Sequence, residues 1–408
     1  MSGSTSKILA LLIVFAAANS ASAQVPVRLQ EAIDSSVKNN LVLRSDLLQT
    51  QYQQHLKKMS YAMPATNLFV ENGQINSFYI DQRLGVSQSF SFPTVYKRSK
   101  DWYEDQFKLS ELKFQLSEIE LKRQVRQCFY QILYLKEKEE LLKRNDSFLA
   151  AFVKKTQLKY QLGDINVLEK TGAENQRNRL AIQLQQLQND KQLLLYRLQL
   201  LLNSSAEIRP AADSLKYKLP SLDSSYLSQH PQIRQMWQNY QSSLSKLSLE
   251  KSKLMPDISL SYANMSMKGT GADNRFYSGS TRFQSFQIGV GVPVFSGAQR
   301  AQIKATQTES EITKNNYQAQ LQSFSFQWQS AIQQHQHYTS VLGYYEKGGL
   351  ENARKMRDAA DQQLSAGEIN YLDWVIIIGQ YIGIESEYLD AVNNYNDNII
   401  QMEYLMGK

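Results

Sequence analysis

Leu162-Gly163-Asp164-Ile165-Asn166-Val167-Leu168-Glu169 and Ala366-Gly367-Glu368-Ile369-Asn370-Tyr371-Leu372-Asp373 are two versions of one pattern. The glycines stand 367 − 163 = 204 residues apart, and the alignment needs no gap. Other matches lie upstream in the same order. Met63-Pro64 and Met255-Pro256 each precede a strand-like run, and Leu43-Arg44 parallels Ile233-Arg234. Three ordered matches mark an internal repeat. Each half is expected to run helix, strand, strand, very long helix, Gly turn, helix. The expected divisions are a first repeat over 24–202, an inter-repeat linker over 203–225, rich in Ser, Pro and Asp, and a second repeat over 226–408.

The long helices follow from what the sequence lacks. No proline occurs from Thr94 to Leu162 or from Ala298 to Ala366. Each run is long enough for a helix of roughly 100 Å, with breaks allowed near Asn145 or Gly348. Leu121, Val125, Cys128, Ile132 and Leu135 alternate spacings of four and three. Leu180, Leu184, Leu187, Leu194, Leu198 and Leu201 keep one heptad register, with Lys191 in its gap. That is coiled-coil patterning, and it makes Cys128 a small apolar seam residue.

The strands carry a different period. Ile258, Leu260 and Tyr262 alternate with Ser259 and Ser261; Phe286, Ile288, Val290 and Val292 alternate with Gln287, Gly289 and Gly291. Leu84, Val86, Phe90 and Phe92 alternate with Gly85, Ser87, Ser89 and Ser91, and Gln88 is the exception on the apolar face. Lipid on one side and water on the other require this pattern, and a half-buried soluble sheet gives it too. Asn67 to Tyr79 alternates poorly. Lys268 to Arg282, with its glycines and Asp273-Asn274, reads as a solvated loop. Four strands cannot close a barrel, so a membrane barrel would have to be shared between chains.

Lys7, the apolar run Ile8 to Ala17 and Ala21-Ser22-Ala23 before Gln24 form an export signal, expected over residues 1–23. Beyond it no stretch suffices for a transmembrane helix. The best, Val375 to Ile378 with Ile382 and Ile384, is interrupted by Gly379-Gln380. One cysteine rules out an internal disulfide framework. The net charge of +7 is interleaved with acids rather than clustered, which argues against nucleic acid as a partner. His55, His230, His335 and His337 are scattered, and no phosphate loop or set of nucleophile, base and acid stands out. The sequence therefore points to no metal, no cofactor and no enzyme.

The duplicated layout, the Met-Pro strand entries, the exit Val292-Pro293-Val294-Phe295-Ser296-Gly297 and the paired Gly motifs resemble the TolC-like outer-membrane efflux proteins across the mature chain. The resemblance implies a mainly α fold with a small β-barrel portion. Three copies would form one tube, each giving four strands to a shared transmembrane β-barrel and its coiled-coil helices to a periplasmic α-barrel. Such a homotrimer would be the outer-membrane exit duct of a tripartite efflux or secretion system in a Gram-negative bacterium. Its partners would be outer-membrane lipid, a periplasmic adaptor and an inner-membrane pump. The turns at Leu162, Gly163 and Asp164 and at Ala366, Gly367 and Glu368 would dock the adaptor. Glu169 and Asp373 would line the periplasmic aperture, where an acid also suits the first turn of a helix. Some members lock that entrance with Tyr three residues before the second Gly and Arg two after it. Leu364 and Ile369 occupy those positions here, while Tyr160 supplies the tyrosine in the first half. The competing expectation from the residues alone is a soluble periplasmic coiled-coil scaffold or adaptor.

Overall fold

Helix-forming residues run without a proline for nearly seventy positions, and the chain answers with helices of matching length. In the computed structural model, which describes residues 25–75, 78–212, 214–218 and 229–408, a short strand β1 (Val25–Val27) precedes α1 (Leu29–Asn39) and α2 (Leu41–Leu56). Then come β2 (Asn67–Gly73), β3 (Asp81–Phe90), α3 (Pro93–Gln161) and α4 (Val167–Leu202). The second half runs β4 (Ile208–Pro210), α5 (Pro231–Ser252), β5 (Asp257–Ser266), β6 (Gly269–Thr270), β7 (Phe276–Tyr277), β8 (Arg282–Gly291), α6 (Gly297–Tyr344), α7 (Leu350–Ala366) and α8 (Tyr371–Leu405). The expected export signal over 1–23 lies outside the described residues, as do 213 and 219–225 of the expected linker. Among the described residues no helix is long and apolar enough to cross a membrane.

The two long runs differ in continuity. The 69 residues of α3 pass unbroken through Asn145, which is 1% exposed. The second run changes to a π-helical turn over Tyr345–Gly349, where two adjacent glycines weaken the α-helical ladder.

Two compact units divide the chain, and each draws on both halves. One comprises Ser45–Gln115 and Pro231–Gln322; the other comprises Met1–Arg44, Leu116–His230 and Ser323–Lys408.

The first unit holds a four-stranded antiparallel sheet in the order β2-β3-β5-β8, leaving β2 and β8 as open edges. Its register sorts the side chains over the rows nearer the helices, while at the far end Asn264 and Gln284 fall on the apolar side and Met265 and Phe283 on the other. Leu68 faces Val86, Val86 faces Tyr262, and Tyr262 faces Phe286; Phe90 faces Ile258, which faces Val290. One side of the sheet thus carries Leu68, Val70, Leu84, Val86, Phe90, Ile258, Leu260, Tyr262, Phe286, Ile288 and Val290. Phe286 and Ile288 are 82% and 76% exposed. The opposite side carries Ser87, Ser89, Ser259, Ser261, Ser285 and Gln287.

The exceptions have local causes. The Gln88 amide on the apolar side accepts from the Thr66 hydroxyl at 2.5 Å and donates to the Pro64 carbonyl at 2.8 Å, which secures the entry to β2. β2 alternates poorly because Phe69 lies on the polar side. Its ring occupies the space above Gly85, where an added Cβ would come within 2.1 Å of it. The segment expected as a plain loop, 268–282, contains the small hairpin β6-β7, whose turn Asp273 holds by accepting from the Arg275 amide and the Tyr277 hydroxyl. Below the sheet, Asp105 of α3 accepts from Gln238 and Ser245 of α5, and Ser243 of α5 meets Thr313 of α6 at 2.9 Å.

The second unit is helical. Leu121, Val125, Cys128 and Ile132 of α3 are buried, as are Leu180, Leu187, Leu198 and Leu201 of α4. Leu142 and Leu149 join Leu180 and Leu187 in one core. At the gap in the α4 register, the Lys191 ammonium pairs with Glu139. Burial pushes the Glu139 carboxyl up, but hydrogen bonds from Lys143, Lys191 and Gln188 outweigh it and hold the pKa at about 2. The expected linker is tied down on both sides. Its Ile208–Pro210 pairs in parallel with Val25–Val27, and Asn396 of α8 accepts from the Tyr217 amide and donates to the Leu215 carbonyl.

Cys128 is 2% exposed, donates to the Leu194 carbonyl at 3.2 Å, and has its pKa pushed up to about 11 by burial. At pH 8 a polar maleimide should therefore label it slowly in the folded protein and quickly after unfolding. Equal rates, followed by mass spectrometry, would remove it from the seam.

Candidate functional site

The paired Gly motifs lie in the helical unit and end two helices by the same chemistry. Gly163 and Gly367 have φ of 81° and 77°, a conformation that costs glycine nothing. The Gly163 amide donates to Tyr160 and the Asp164 amide to Lys159; the Gly367 amide donates to Leu364 and the Glu368 amide to Gln363. These bonds satisfy the orphan carbonyls of α3 and α7. Three residues after each glycine an asparagine starts the next helix. Asn166 accepts from the Glu169 amide at 3.0 Å, and Asn370 from the Asp373 amide at 2.9 Å. The caps were absent from the expected site, although Asn three residues before an acid is a readable helix-start signal.

Glu169 and Asp373 occupy the third position of their helices and are exposed. A carboxylate there interacts favourably with the helix dipole by about 0.3–1 kcal/mol. Leu162, Gly163, Asp164, Ala366, Gly367 and Glu368 are exposed too. Apolar residues surround them on the surface: Leu158 is 59% exposed, Leu162 67%, Leu168 77% and Leu372 63%. The turns thus present a surface of leucines and acids.

The residues at the expected lock positions make contacts within the chain. Leu364 and Ile369 pack into a core of Phe152, Ala173, Ala360, Trp374 and Ile378, which joins α3, α4, α7 and α8. Trp374 anchors it, donating from its indole N–H to Asp361 at 2.7 Å. Tyr160 lies under the Lys170 ammonium, 5.2 Å from the ring centre. Lys159 stands 4.8 Å from the ring centre of Tyr371, linking the end of α3 to the start of α8. Of the expected aperture residues, the structure gathers Leu364 and Ile369 into one apolar cluster and leaves Glu169 and Asp373 at separate helix starts. The Lys159–Tyr371 contact had no sequence signal, since its partners lie in different halves of the chain, and the Lys170–Tyr160 contact forms only across the Gly163 turn.

The family model for outer membrane efflux proteins matches residues 222–408, the second half of the chain. No curated protein matches. Among solved structures the fold is similar to that of CusC, with 17% identity, a TM-score of 0.77, and coverage of 94% of this chain and 92% of that one. The outer membrane channel CmeC of Campylobacter jejuni matches at 15% identity and TM-score 0.78, over 93% of this chain and 85% of its own. The outer membrane protein VceC of Vibrio cholerae matches at 12% identity and TM-score 0.78, over 93% and 96%. The resemblance to the TolC-like outer-membrane efflux proteins thus stands on a sequence pattern in the second half and on fold across the whole chain.

Replacing Asn166 or Asn370 with Ala should cost about 1 kcal/mol locally, a roughly fivefold rise in opening of the first helical turn. Hydrogen exchange at the Glu169 and Asp373 amides reads this directly. Unchanged exchange would mean that the caps do not hold these helix starts.

Proposed function

We propose that three copies of this chain form the outer-membrane exit duct of a tripartite efflux or secretion system. The observation that carries this reading is the sheet, open at both edges and, in its rows nearer the helices, apolar on one side and small and polar on the other. Strands β3, β5 and β8 have 10 residues each. Ten residues at about 3.3 Å, tilted by about 40°, rise roughly 25 Å, the height of an outer-membrane barrel's apolar band. The apolar side then faces lipid, and the side of Ser, Gly and Gln faces a water-filled lumen. The helical unit belongs to the periplasm, and the Gly turns are where a periplasmic adaptor docks. Energy and cargo selection lie with an inner-membrane pump, so this chain acts as a passive conduit rather than a catalyst.

Light scattering in detergent should show a homotrimer that needs detergent to stay dispersed. A monodisperse monomer with its strand content intact, stable without detergent, would favour the periplasmic scaffold instead. Glu169 and Asp373 from three chains would put six carboxylates around one entrance, and such rings select cations. Replacing them with Gln and Asn should therefore lower cation selectivity in planar bilayers while the trimer persists. Wild-type selectivity in that double variant would leave both acids as ordinary helix-start residues.

A further inference from the structure

One transverse row of the sheet differs from the others on its polar side. Glu71 of β2 faces Arg83 of β3, Arg83 faces Met265 of β5, and Met265 faces Phe283 of β8. The Arg83 guanidinium is 3.4 Å from the Glu71 carboxylate and 5.4 Å from the centre of the Phe69 ring. Phe69 belongs to the next row, where it covers Gly85 beside Ala263 and Ser285. Nearer the helices the same side narrows to small groups: Asn67, Ser87, Ser261 and Gln287 in one row, then Ser89, Ser259 and Gly289. Side-chain bulk therefore rises toward the end of the strands that carries the 74–80 and 267–281 loops.

We infer that this row is a second constriction of the channel, at the loop end of the strands, and that the Arg83–Glu71 pair fixes its charge. The inference rests on the duct reading, which makes this side the lumen. Twelve strands about 4.8 Å apart and tilted about 40° enclose a barrel of roughly 12 Å radius. Side chains the size of Phe, Met and Arg, repeated three times around it, leave about half of that radius open. The serine and glycine rows leave more. Whatever moves through the barrel is then filtered at the collar by a neutral ion pair flanked by Phe69, Met265 and Phe283. Small ions meet three paired charges that cancel, and cargo with planar apolar groups meets matching surfaces. Phe69 is the positioning residue, since its ring over Gly85 supports the Arg83 guanidinium.

Breaking the pair from either side gives effects of opposite sign, which a structural role would not. Glu71→Gln leaves three uncompensated guanidinium groups in the lumen, and Arg83→Gln leaves three carboxylates. In planar bilayers under a KCl gradient, the reversal potential of Glu71→Gln should shift toward anion selectivity relative to wild type. That of Arg83→Gln should shift toward cation selectivity, and Arg83→Lys should restore the wild-type value. Phe283→Ser with Met265→Ser should raise unit conductance without moving the reversal potential. Conducting trimers in which both charge variants keep the wild-type reversal potential, or shift it in the same direction, would overturn the collar while leaving the duct intact. A wild-type protein that forms no channel would overturn the duct reading itself.

Discussion

Hydrocarbon offers no partner to a backbone N–H or C=O, and leaving one unpaired there costs several kcal/mol. A sheet of four strands with open edges at β2 and β8 violates that constraint unless another strand pairs with each edge. Its apolar side, with Phe286, Ile288 and Val290 largely bare, is equally unsatisfied in water. The proposed duct answers both problems at once: edge-to-edge closure with further copies would pair the backbone and put the apolar side in lipid. In that reading a single chain is an incomplete object, and much of its exposed apolar surface would be covered in the assembly.

Much of this was legible in the sequence because the relevant chemistry is local. Gly163 and Gly367 announce their turns because each ends a helix in a left-handed conformation that other residues adopt at a cost. β5 and β8 announce themselves by alternation. β2 did not, because Phe69 breaks the pattern to cover Gly85, and that contact exists only once β2 and β3 are paired. β1 was equally hidden, since its three residues gain a partner only in Ile208–Pro210, far along the chain. Of the two places where the long helices allowed a break, Gly348-Gly349 yields a π-turn and Asn145 continues as regular helix within a buried seam.

The candidate site divides along the same line. The glycines alone place the exposed turns, and Asn166 and Asn370, repeated at the same offset, are the caps that start the returning helices. Leu364 and Ile369, at the positions of a Tyr–Arg lock, pack against the core of Phe152, Ala173, Ala360, Trp374 and Ile378, a contact that no local pattern announces. The Lys191–Glu139 pair makes the same point for the coiled coil. An apparent flaw in the α4 heptads is an ion pair that only the folded seam can show.

In the proposed duct the two sides of this sheet meet different solvents. Single cysteines at 285 through 290, in a background lacking Cys128, would be spin-labelled in protein reconstituted into lipid vesicles. Collision with oxygen, which concentrates in hydrocarbon, would be compared with collision with a water-soluble nickel chelate. Labels at 286, 288 and 290 should favour oxygen, and those at 285, 287 and 289 the chelate, alternating residue by residue. Equal accessibility along the strand, or chelate preference at every position, would mean that the sheet does not divide lipid from water.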